Sequence, residues 1–140
     1  MATGVTPARV TDIVRDTPEL STFNQLLRRS KVIAEIDTDA PFTIFAPTNE
    51  AFEKLPPNAI GALVDDPPAL HEAILFHVVS GEYPEAGLRT ETSIMTLAGV
   101  HVLIEKMDYR TYVGGALIEQ ADIEAENGFV HLIDTVILPA

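Results

Sequence analysis

Apolar and polar positions change period midway along the chain. In the first half they recur at helical spacing. After Thr17, the residues Leu20, Phe23, Leu26 and Leu27 fall on one helical face; after Asp66, Leu70, Ala73, Ile74, His77 and Val78 do the same. Thr6-Pro7, Thr17-Pro18 and Asp66-Pro67 each place a capping side chain before a proline, the chemistry of a helix start. Between these lie an apolar strand over residues 42–46 and short helices around 49–55 and 58–64. In the second half β-branched and aromatic runs cover residues 93–97, 100–106, 111–113, 117–119 and 129–138. Gly99, Gly114-Gly115 and Asn127-Gly128 interrupt them, and Asn-Gly between apolar segments predicts a type I′ hairpin. Helices first and strands later predict an α+β fold, with the helices packed on one side of a sheet system. The 140 residues suit a single domain over 1–140, with 1–7 as a loose N-terminal segment.

The stretch FTIFAPTNEAF, residues 42–52, has a task for each residue. Pro47 removes a ladder donor and ends the strand. Thr48 or Asn49 can accept from the first N–H groups of the next helix, and Asn49 is expected as a near-buried cap. Glu50 suits the first helical turn, and Phe52 returns to the core.

Charge then removes whole classes of function. There are 21 Asp and Glu against 9 Lys and Arg, a net charge of −12. A nucleic-acid partner needs a basic face, and Arg28-Arg29-Lys31 reads instead as cations at a helix C-terminus. Two copies repel, so a monomer in isolation is expected, with salt screening the repulsion. Cysteine is absent, which excludes disulfides and thiolate chemistry. No run is long and apolar enough to span a bilayer. The lack of cysteines and of N-x-[ST] sequons points to a bacterial, exported protein.

Catalytic and metal motifs are not found. His77 and His131 sit among apolar neighbours and read as paired core residues; His71 and His101 read as exposed. The acids at 37, 39, 65 and 66 fall at element boundaries, where Asp caps and turns, and Glu124, Glu126 and Asp134 read as solvated or turn residues. No cofactor and no metal are expected.

Three segments in order resemble the signature motifs of the fasciclin domain family. TIFAPTNEAF resembles the first and includes Thr43, Phe45, Ala46, Pro47, Thr48, Asn49 and Phe52. ILFHVVSGEY resembles the central motif, with Phe76 standing where animal matrix members have Tyr before His77. DIEAENGFVHLIDTVILP resembles the closing motif and includes Asn127, Gly128, His131 and Asp134. The resemblance runs from about residue 8 to the end. It implies a β-sandwich or wedge of about seven strands with helices on one side. It further implies a non-enzymatic adhesion module, secreted, periplasmic or at the cell surface, that binds a protein or matrix partner. In animal matrix members the Tyr-His region and an Asp-Ile pair are implicated in integrin binding. The corresponding contact residues here are Asp122, Ile123, Phe76 and His77. The alternative is a carrier of an apolar ligand, a carotenoid or a lipid, in a helix–sheet groove.

Overall fold

The computed structural model describes residues 9–36, 41–56 and 58–137. The expected cap at Thr6, the acids at 37 and 39 and the end of the last predicted strand lie outside them. Helix α1 (Val10–Asp16) is followed by a 3-10 turn (Pro18–Leu20), α2 (Ser21–Ser30) and α3 (Ile33–Ile36). Thr17 does not cap the element after it; its hydroxyl donates to the Ile13 carbonyl (2.6 Å), finishing α1. In α2 the predicted stripe is buried at Phe23, Leu26 and Leu27, and Arg28 and Arg29 occupy the last turn. Then come strand β1 (Phe42–Pro47), α4 (Asn49–Glu53), α5 (Ala59–Val64) and α6 (Pro67–Leu75). Asp66 caps α6 as expected, accepting from Ala69 N–H (3.3 Å).

The helix expected to carry His77 and Val78 stops at Leu75, and β2 (Val78–Ser80) takes over. Periodicity alone cannot separate a short apolar strand from a helix tail. Here the exposed edge of β1 decides, because Ile44 pairs antiparallel with Val78 and Phe42 with Ser80. Helix α7 (Glu85–Leu88) and strands β3 (Ser93–Met95), β4 (His101–Met107), β5 (Arg110–Val113), β6 (Ala116–Ala125) and β7 (Gly128–Ile133) complete the order.

The seven strands form one sheet, ordered β2-β1-β7-β6-β5-β4-β3. Only β1 and β7 are parallel. Leu97 N–H donates to the Val78 carbonyl (2.8 Å), drawing the two edges together into a nearly closed sheet. Strand β1 is buried along its whole length and feeds two cores. Phe42, Ile44 and Ala46 point into the helix-side core with Phe23, Leu27 and Val130. Phe45 points into the strand-side core with Val102, Ile104, Val113 and Ile133. Such a strand, covered on both faces, reads as a continuous apolar run.

The hairpin before β7 exists but is not a type I′ turn. Its loop residues are Glu126 and Asn127, Gly128 already pairs with Ala125, and Asn127 has negative φ. Gly128 answers another need. Its φ is 147°, and a Cβ there would stand 1.6 Å from the Phe42 carbonyl oxygen. Only glycine lets β1 approach so closely.

Candidate functional site

At the 46–52 corner Pro47 is the last paired residue of β1, opposite Ile133. Thr48 caps α4, its hydroxyl accepting from Ala51 N–H (3.3 Å). Asn49 caps a different helix. Its Oδ1 accepts from Thr22 N–H (2.9 Å) and from the Ser21 hydroxyl (3.2 Å) at the start of α2, and its Nδ2 donates to the Pro18 carbonyl (3.1 Å). It is half-buried, not near-buried as expected. Thr43 donates to the Gly81 carbonyl (2.7 Å) and accepts from Tyr83 N–H (2.9 Å), fixing the loop after β2. Ala46 and Phe52 fill the helix-side core.

His77 is 2% exposed. An amide N–H can only donate, so the bond from Ile137 N–H (3.0 Å) makes Nε2 the acceptor and leaves the hydrogen on Nδ1. Nδ1–H then donates to the Ala73 carbonyl (2.8 Å). Burial lowers its pKa to about 4, against the opposing pull of the Ala73 carbonyl. Phe76 is 6% exposed and belongs to the strand-side core. Both residues were expected at a contact surface. The chain turns from helix to strand at this point, and both side chains face inward.

His131 carries the opposite tautomer. Nδ1 accepts from Asp122 N–H (3.0 Å), so Nε2 holds the hydrogen and donates to the Tyr83 carbonyl (2.7 Å). Its ring stacks near Phe45 and Phe129, with centroids 5.7 and 6.3 Å away. Burial lowers its pKa, opposed by the Tyr83 carbonyl and then by the Asp122 and Glu85 carboxylates. Gln120 pairs with Leu132 and Ile123 with Val130, so Ala121 and Asp122 together face His131 in a β-bulge. Asp122 has φ of 61°. Its side chain is exposed, and Oδ1 accepts from Glu85 N–H (2.7 Å) at the start of α7. Ile123 is half-buried against the helix-side core.

The rest of the closing motif fastens parts together. Asn127 Oδ1 accepts from Val10 N–H (2.9 Å) and Nδ2 donates to the Ile36 carbonyl (3.4 Å). Asp134 Oδ1 accepts from Leu117 N–H (2.9 Å), and its carbonyl accepts from Lys54 Nζ (2.7 Å). Among the described residues no three His, Cys, Asp or Glu gather as a metal site. No helix among the described residues is long and apolar enough to cross a membrane.

Of the four predicted contact residues, the structure therefore leaves Asp122 exposed and Ile123 half-buried. Sequence reading missed the Tyr83 carbonyl that orients His131 and the Glu85 amide that holds the Asp122 carboxylate. Both act through backbone, and no residue type signals that.

A family model described as Fasciclin domain matches residues 18–139. An uncharacterized protein of Synechocystis sp. is 33% identical over 92% of this chain and 96% of its own length. Human periostin is 30% identical over 93% of this chain, which spans 16% of periostin. A solved FAS1 domain pair from the insect cell adhesion molecule fasciclin I superposes with a TM-score of 0.68 at 21% identity, covering 86% of this chain and 45% of that one.

Proposed function

The chain belongs to the fasciclin domain family, and from that premise we propose that it is a non-enzymatic interaction module. It works outside the cell or at its surface and binds a protein or matrix partner through the rim around Asp122 and Ile123. The observation that carries this reading is the anchoring of Asp122. Its backbone N–H is held by a buried imidazole and its carboxylate by the α7 amide, so an exposed charge stands on a rigid bulge. Preorganised charge of this kind loses little entropy on binding.

Asp122→Asn tests it, because Asn also accepts the left-handed backbone while the charge is lost. Beads coated with the variant should adhere to immobilised matrix proteins and cell surfaces less than a tenth as well as the parent, a loss on the order of one buried charge contact. Undiminished adhesion by the folded variant would put the contact elsewhere.

Carriage of an apolar ligand has one supporting observation. Helix α5 buries none of its residues, and a groove beside it is lined by Leu55, Ala59, Ala62, Leu63 and Ala69. A spectral shift of added carotenoid, abolished by Ala62→Glu, would favour that reading over adhesion.

A further inference from the structure

Among the described residues the exposed large hydrophobic side chains are Met95, Val100, Leu103, Met107 and Tyr109, at 46% to 81% exposure. All lie on one ribbon, β3-β4-β5. Val102 and Ile104 point into the strand-side core, so the alternation of β4 turns Leu103 and Met107 outward. The register sets Met95 beside His101, Leu103 beside Ser93 and Met107 beside Arg110 on that outer face. Val100 and Tyr109 stand at its two ends. The helices pack on the far side of the sheet and leave this face uncovered.

The face is large for a lone molecule. Five such side chains expose several hundred Å², on the order of the largest apolar patch of a typical monomer and approaching the ~800 Å² per partner of a standard interface. It is also rigid. Arg89 donates to the Asp108 and Arg110 carbonyls and to Thr111 Oγ1, and Lys106 Nζ donates to the Arg89 and Glu91 carbonyls. These bonds fix the ribbon against the loop before β3.

Charge selects the occupant. From residue 89 to 110 the cations Arg89, Lys106 and Arg110 balance the anions Glu91, Glu105 and Asp108, in a chain of net charge −12. A second copy therefore meets no local repulsion here, whereas acidic surface elsewhere opposes it. The layout is also self-complementary, as a two-fold contact requires. Leu103 lies near the middle, with Met95 and Val100 toward one end and Met107 and Tyr109 toward the other. A half-turn places each end against the opposite end of its mate.

We propose that the outer face of β3-β4-β5 is the surface through which two copies of this chain pair, face to face about an axis near Leu103. The contact is mainly apolar, with Glu105 and Arg110 interspersed, and the long-range repulsion it works against is screened by salt. Pairing should therefore strengthen as salt rises, the reverse of a contact made by ion pairs.

The chain has no cysteine, which gives a direct test. A Leu103→Cys variant, oxidised mildly, should form covalent dimer about tenfold or more faster than a Glu53→Cys control, because pairing raises the effective thiol concentration. Sedimentation velocity should show parent dimer growing with protein and salt concentration, and Leu103→Asp should remain monomeric with an unchanged melting temperature. Equal cross-linking at positions 103 and 53 would overturn the proposal. So would a parent that stays monomeric in high salt, or a Leu103→Asp variant that still pairs. A monomeric parent that binds lipid vesicles or another protein by this face would likewise replace the second copy as occupant.

Discussion

His77 and His131 solve the same local problem in the two halves of the molecule, and they solve it with opposite tautomers. Each ring donates one hydrogen to a backbone carbonyl and accepts one from a backbone amide. In the helix-side core His77 joins the end of α6 to Ile137, and nothing it touches reaches solvent. On the strand side His131 joins a bulge to a loop, and the residue it holds displays a carboxylate outward. Both rings are buried, and they differ in whether the group at the far end of the hydrogen bond lies inside or outside.

The largest expected effect removes the element that both histidines depend on. Gly128→Ala forces β1 away from β7 and should cost at least about 4 kcal/mol, or abolish folding, as read by circular dichroism and urea melts. Next, His77→Phe strands the Ile137 N–H and the Ala73 carbonyl and should cost about 3 kcal/mol. The same change at His131 should cost about 2 kcal/mol and also leave the Asp122 amide unprotected against hydrogen exchange, an effect that His77→Phe should not produce.

Acid probes the pair together. The folded pKa of His77 lies near 4, below its unfolded value of 6.5, so the unfolded chain binds more protons between them. The stability it contributes is complete above pH 6.5 and is lost as pH falls. By pH 4 the loss should reach about 3 kcal/mol, read from urea midpoints across that window. His131 is shifted in the same direction and adds to the slope. A flat profile would mean that the imidazoles take up protons as readily in the fold as in the unfolded chain. The smallest effect belongs to Asn49→Ala, which should cost about 1 kcal/mol and fray the start of α2 in exchange measurements, leaving α4 intact.

Local chemistry was legible in the sequence at some sites where both partners lie within one turn, though not at Thr17, whose hydroxyl turns back to Ile13, nor at the Asn127-Gly128 turn. Asp66 capping α6 and the apolar stripe of α2 are such cases. The bonds that assemble the site span much greater separations. Asn49 meets Thr22 at a separation of 27 residues and His77 meets Ile137 at 60, and no spacing rule reaches so far. Strand β2 was hidden because a three-residue strand needs its neighbour to define it. Gly128 was noticed for a turn, while its actual constraint is the Phe42 carbonyl across the sheet. The fasciclin resemblance supplied the seven-stranded wedge, and the fold bears it out. It also implied Phe76 and His77 as contacts, and both side chains are buried.

The parallel pairing of β1 with β7 has a consequence for how the protein is made. Synthesis delivers β1 before five further strands and four helices, and only then its parallel neighbour β7. At about 5–20 residues per second, Phe42 to Pro47 wait on the order of ten seconds after leaving the ribosome before that neighbour exists. During this interval the edge of β1 that β7 will cover stays unpaired, a ladder of open N–H and C=O groups that any other strand could meet first.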